Sequence, residues 1–214
     1  MAIQHTIGMA VAVASTYGPA VNMTAITNAV QAVATLAVGH AVVAGDILEV
    51  ISGWQNLPQV VRVLSVATND VTLEGVNTVA LAAFPAGAGA GTIRRITAWQ
   101  PVAGVVSVAE SGGEPQYFDT TLASDLAQQQ ARARDTPRTI TFAMQTGPGF
   151  AGQSLLQTLA TSRAVTACRI VLPSGARRLI NGEMHFAANQ IGETHLVGAW
   201  TINVRGGEPM LYAT

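Results

Sequence analysis

The stretch QVVRVLSVATNDVTLEG, residues 59–75, decides the class of fold. Two short runs rich in β-branched Val flank ATND, a turn signal, so the segment reads as a β-hairpin. Upstream, the Gly45-Asp46 pair breaks the chain and DILEVI opens another strand. Further back, in AVQAVATLAV, residues 29–38, Val30, Leu36 and Val38 share one parity with Ala32 and Ala34, while Gln31 and Thr35 take the other. That period of two is strand periodicity. Residues 26 to about 80 are therefore expected to form a small antiparallel meander. The Gly/Ala/Pro stretch FPAGAGAGT, residues 84–92, has no apolar periodicity and marks an internal seam.

Beyond the seam the chain continues in short strands: GVVSVAE, QYFDTT, RTITFAMQT, VTACRIVL, RRLINGEMHFA and ETHLVGAWTINV. One helix is expected, AGQSLLQTLATSR at 151–163. Its Leu155, Leu156 and Leu159 stand at helical spacing, Pro148-Gly149 precede it, and Arg163 suits the negative end of the helix dipole. SDLAQQQARARDTPR, residues 124–138, contains good helix formers but one large apolar residue, Leu126, so it predicts an exposed loop or a marginal helix. Many short strands and one helix predict a mainly β fold: an antiparallel sandwich or barrel with a single flanking helix. The expected organisation is an amino-terminal arm or first strand over 1–25, the meander over 26–92, and a core with a carboxyl-terminal tail over 93–214.

Composition narrows the function. At 214 residues the chain can bury a sizeable core without cross-links, and its one cysteine, Cys168, excludes a disulfide framework. Eleven basic and twelve acidic residues leave the formal charge near zero, without the basic stripe that grips phosphates. Every basic residue is Arg. No charge precedes Asp46, so the positive region that opens a signal peptide is missing, and the Ala/Val segment 29–44 is short and weakly apolar for a bilayer span. Only 11% of the residues are charged. A surface that poor in charge predicts coverage by further copies of the chain.

No GxSxG elbow, HExxH, P-loop or dinucleotide fingerprint occurs, so catalysis has no local signature. The sharpest metal-ligating pattern is a pair of Glu-x-His elements, Glu183/His185 and Glu193/His195, because i and i+2 of a strand share a face. A four-residue loop at 189–192 would set His185 opposite Leu196 and put the two pairs on opposite faces, which argues against a shared metal. Cys168 alternates in phase with Ile170 and Leu172, the pattern of an inert core thiol. Trp54, Trp99 and Trp200 could line a sugar-binding surface, the main alternative function, but their placement favours packing. Arg132, Arg134, Asp135 and Arg138 form the densest charge cluster, either a solvated loop or an interaction loop. Gly-Gly-Glu-Pro occurs twice, in SGGEPQYFDTT at 111–121 and in RGGEPMLY near the end. These are expected to be unrelated turns, a hairpin connection and the exit of the carboxyl-terminal tail.

The order and spacing of HAVVAGDILEVISGW, LPQVVRVLSVATNDVTLEGVNT, WQPVAGVVSVAESGGEPQYFDTT, SLLQTLATS, CRIVLPSGARRLINGEM and GGEPMLY resemble the major tail tube proteins of long, flexible-tailed bacteriophages. That resemblance implies a structural, non-enzymatic subunit without cofactors. Its copies would form rings, usually hexameric, whose strands join in a continuous inner β-barrel. Rings would stack into a virion tail tube, assembled in the host cytoplasm around the tape-measure protein. The tube would meet tail terminator and distal tail or baseplate proteins, and pass DNA without membrane insertion. Glu110, Glu114 and Asp119 are then candidates for a lumen wall or ring contacts. Arg132, Arg134, Asp135 and Arg138 are candidates for contacts between rings.

Overall fold

A computed structural model describes residues 8–122, 126–147, 149–191 and 196–213. It is mainly antiparallel β with one helix, as the alternating segments predict. The hairpin within residues 59–75 is β4 (Val60–Ala67) and β5 (Asp70–Leu73), with Ala67 opposite Asp70. The turn uses a left-handed Thr68 at φ 56°.

The meander proves to be part of a closed barrel. β1 (Ala10–Ile26) pairs with β2 (Val33–Leu36), β2 with β5, β4 with β3 (Ile47–Ser52), β3 with β6 (Gly91–Pro101), and β6 returns to β1. Leu48, Val50, Val61, Val63, Val71 and Leu73 alternate into its interior. Closure leaves no free edge on this side of the molecule. Strand β6 had no apolar signal strong enough to stand out, because it exposes part of both faces and carries Arg94 and Arg95. The predicted parity of 29–38 holds for Ala32, Ala34 and Leu36 but not for Val30 and Val38, which lie outside β2 and are exposed. Trp54 and Phe84 pack edge-on at 5.3 Å against one end of the barrel, and Trp54 Nε1 donates to Pro85 O. Gly89 of the Gly/Ala/Pro loop allows this approach: a Cβ there would lie 3.0 Å from the Trp54 ring and 2.0 Å from Ile26 Cγ2.

The amino-terminal end of β1 leaves the barrel to pair with β11 (Val165–Val171), and the sheet continues through β12 (Arg177–Ile191), β13 (Leu196–Val204), β10 (Thr139–Gln145) and β7 (Val105–Ser111). One face carries a second core, in which Phe142 and Trp200 stack at 4.5 Å. Helix α1 (Gln153–Ser162) covers that face with Leu156 fully buried. It is shorter than the expected 151–163. Gly152 (φ 83°) begins it and Arg163 (φ 52°) is its left-handed C-cap rather than part of the last turn.

A polar cluster joins the barrel to this sheet. Glu49, 2% exposed, is held by Arg94, whose guanidinium also lies 4.2 Å above the Tyr17 ring. Asn181 Nδ2 donates to Gln59 Oε1 (3.0 Å) and reaches Glu49 Oε1 (3.4 Å). Tyr17 Oη accepts from Ala167 N–H across the same junction, and burial pushes its phenol pKa up to about 12. A buried carboxylate needs such partners, because removing it from water is expensive.

Candidate functional site

Four strands, β12, β13, β10 and β7, carry the surface best placed for function. In register, Ala109, Thr141, Thr201 and His185 lie side by side across them, as do Ser107, Ala143, Ala199 and Ala187. The alternate positions, such as Val108, Phe142, Trp200 and Phe186, face the helix-covered core. The outward rows are therefore small, mostly neutral and covered by nothing among the described residues. Their one described carboxylate, Glu183, pairs with Arg205 at 3.1 Å. Among the described residues both lateral edges are open as well. Strand β7 pairs only with β10 among those residues, and no described strand pairs with β12 beyond Glu183 on the side away from β13, since β11 ends at Val165 opposite Glu183. Unpaired backbone N–H and C=O groups on such edges are templates for another strand.

Strands β7 and β10 extend beyond the body as an arm. β8 (Pro115–Asp119) pairs with β9 (Gln130–Asp135), continuing the β7–β10 ladder past a kink. At the kink Gly113 N–H donates to Thr136 O and Thr136 N–H donates to Glu114 O, at 3.0 and 2.9 Å. Gly112 has φ 84°, and a Cβ there would meet Pro137 O at 2.0 Å. This corrects two expectations. The first Gly-Gly-Glu-Pro is not a hairpin connection, because β7 and β8 are not paired with each other. Within 124–138, residues 130–135 are a strand rather than a loop or helix: β8 supplies backbone partners that a helix count ignores. The arm exposes Tyr117, Phe118, Leu122 and Leu126. A two-stranded ribbon with apolar side chains in solvent has little stability of its own and calls for a partner surface.

The second Gly-Gly-Glu-Pro is likewise an interruption rather than a chain exit. After Val204 opposite Gly182, residues 205–209 bulge, and β14 (Met210–Tyr212) resumes pairing along β12 with Met210 opposite Leu179. Tyr212 then buries its ring and donates toward Glu74 O while accepting from Arg62 N–H. The two motifs thus do the same job, and they meet. Together they border a groove of about 630 Å³ lined by Gly113, Gly206–Pro209 and the charge cluster.

That cluster is split. Arg132 pairs with Asp135 at 2.5 Å, Arg138 reaches Glu110 (3.6 Å) and Glu208 (3.1 Å), and Arg134 has no carboxylate partner among the described residues. Glu110 belongs to the core-facing row with Ile140, Ile202 and Met184. Two guanidinium nitrogens of Arg178 bind its oxygens at 2.6 and 2.8 Å, which holds its carboxyl below the usual range. Asp119 accepts from Thr121, and the Glu114 carboxylate has no hydrogen-bond or ion-pair partner among the described residues. A model of the family described as phage tail tube protein, TTP, matches residues 52–205, from the barrel to the end of β13. The chain belongs to the phage tail tube protein family. No curated protein matches it.

The family is a structural one of the virion tail. Trp54 and Trp200 are buried, while Trp99 supports Arg169 at 4.7 Å, so the tryptophans pack rather than present a sugar platform. Cys168 is fully buried, and burial pushes its thiol pKa well above the ordinary range. The Glu-x-His register differs from expectation. His185 lies opposite Thr201, not Leu196, because β12 runs on to Ile191 through an irregularity between Ala187 and Gln190. Glu193 and His195 lie outside the described residues. Among those described, no three His, Cys, Asp or Glu side chains cluster, and no helix is long and apolar enough to cross a membrane. The open sheet edges and the arm were missed by residue-level reading, since both depend on which strands lack neighbours.

Proposed function

We propose that the chain closes into hexameric rings that stack into the tube of a long, flexible, unsheathed phage tail, enclosing the tape-measure protein and later conducting DNA. The observation that carries this reading is the four-stranded β12-β13-β10-β7 segment with both edges open. Its strands alternate in direction, so β7 of one copy would meet β12 of the next antiparallel, and repetition around a rotation axis would continue the ladder. The outward rows would then line the lumen. Small neutral side chains suit that wall, because each Arg or Lys on a phosphate would add salt-dependent affinity and slow passage.

In this reading the arm reaches an adjacent ring, where Tyr117, Phe118 and Leu122 are covered and Arg132, Arg134 and Asp135 set register. Glu110, bound within its own chain, would stiffen the root of the arm, while Glu114 and Asp119 remain for contacts between copies. The tail terminator and the distal tail proteins would bind the two ends of the stack, assembled in the host cytoplasm. Residues 1–25 act as an amino-terminal arm or first strand, distinct from the β8–β9 arm, 26–92 as the meander and 93–214 as the tube core with the carboxyl-terminal tail, with β1 and β6 spanning these divisions.

The test is negative-stain microscopy and sedimentation of purified protein over a concentration series. Hollow rings and tubes are expected. In a variant joining Pro115 to Asp135 through an Asn-Gly turn, the arm is removed at a point where its strands already face each other. That variant should remain folded and form no tubes. Normal tubes would sink the arm's assignment, and a wild-type chain that stays monomeric at every concentration would sink ring closure.

A further inference from the structure

Charge is scarce in this chain, so unmatched charge is informative. Every described carboxylate except Glu114 has a guanidinium or a hydroxyl partner: seven in ion pairs, Asp70 with Thr35 and Asp119 with Thr121. Glu114 sits exposed at the kink of the arm, its backbone fixed by Thr136 and its carboxylate unused.

The matching vacancy lies on the body. Arg169 stands opposite Leu179, and Arg177 opposite Val171, so the two arginines are diagonal neighbours on one face of the β11–β12 pair. That is the face turned away from Cys168 and the helix-covered core. Diagonal residues of adjacent strands are within reach for long side chains. Neither has a carboxylate partner among the described residues. Arg169 lies over Trp99 with its guanidinium carbon 4.7 Å from the ring centroid, and its Nε is buried without a hydrogen-bond partner among the described residues. Burial first, and then the charge of Arg177, weaken its hold on its proton. Two like charges side by side, one with an unsatisfied buried donor, cost stability in a single chain. A carboxylate shared between them would relieve both penalties with charge-assisted hydrogen bonds in the fork geometry that guanidinium groups favour.

We infer that Arg169 and Arg177 form an acceptor site for the Glu114 carboxylate of a second copy of this chain. The inference rests on the self-assembly reading and adds a contact to it. Charge complementarity selects the occupant: among the described residues each copy carries on its arm one carboxylate with no side-chain partner, Glu114, and on its body one adjacent arginine pair with no carboxylate partner, so every such contact can be filled at equal stoichiometry. Such a contact joins two different patches and therefore propagates from copy to copy.

The test is charge reversal on the full chain. Arg177→Glu places a carboxylate beside Arg169 within the chain, so its melting temperature should rise while the concentration needed for assembly rises at least tenfold. Glu114→Arg should raise that concentration similarly and leave melting unchanged. The two reversals together should restore assembly toward the wild-type threshold. Assembly of either single variant at the wild-type concentration, or a double variant no better than the singles, would overturn the inference while wild-type tubes keep the assembly reading intact. A wild-type chain that never assembles removes both.

Discussion

Arg138 Nη2 donates to Glu208 Oε1 at 3.1 Å, joining the root of the arm to the bulge that precedes the last strand. Their separation of seventy positions in sequence closes to one contact because both Gly-Gly-Glu-Pro motifs interrupt long ladders at the same end of the molecule. Arg138 also packs within 3.0 Å of where a Cβ on Gly113 would stand, and lies 3.6 Å from Glu110.

These contacts are unequal. Glu208 is largely exposed, so Glu208→Ala should cost less than about 1 kcal/mol and the loss should shrink with added salt. Arg138→Ala removes both pairings together with packing against the kink and should cost more. Urea denaturation at low and high salt measures both. Equal effects would show that Glu208 accounts for all of Arg138's contribution.

The barrel junction should be far less forgiving. Replacing Arg94 by Ala leaves the Glu49 carboxylate, 2% exposed, without its cationic partner. Breaking such a pair costs about 3–5 kcal/mol, a large share of the stability of a typical domain. Chemical denaturation should show the midpoint falling without change in its slope; a loss below about 1 kcal/mol would contradict the placement of this cluster at the junction.

Stability should also depend on pH at both extremes. Hydrogen bonding to Arg178 lowers the Glu110 pKa, and hydrogen bonding to Arg62 lowers that of Glu74. A carboxyl with a lower folded pKa stabilises the fold above its unfolded pKa and loses that contribution as pH falls through the folded value. Stability should therefore drop below the ordinary carboxylate range, and Glu110→Gln should flatten the drop. Burial raises Tyr17 and Tyr212 to about 12, so their contribution is full below their unfolded pKa near 10 and disappears as pH rises to the folded value. Melting temperature across pH, compared with Tyr212→Phe at the alkaline end, checks both signs.

Cys168 offers a direct test of core packing. It sits at 0% exposure among Val13, Ile170 and Ile180, and its thiolate is disfavoured by burial. A thiol reagent should leave the native chain unmodified and label one cysteine per chain in denaturant. Rapid labelling under native conditions would show that β11 opens readily.

Local pattern made much of this fold legible. The Val-rich runs around Thr68-Asn69, the leucines of the helix and the phase of Cys168 with Ile170 specify strands, helix and buried thiol, because period and turn chemistry act over a few residues. The order of elements pointed to the tail tube family. Register and neighbourhood came only from the tertiary structure. The closed barrel needs the long β1 to leave one sheet for another, and β9 is a strand because β8 lies beside it. The open edges of β7 and β12, the convergence of both Gly-Gly-Glu-Pro motifs on Arg138, and the unmatched Arg169 and Arg177 depend on contacts between distant residues. Hydrogen bonds, burial and Coulomb interactions act through space, and a short window of sequence contains only one side of each.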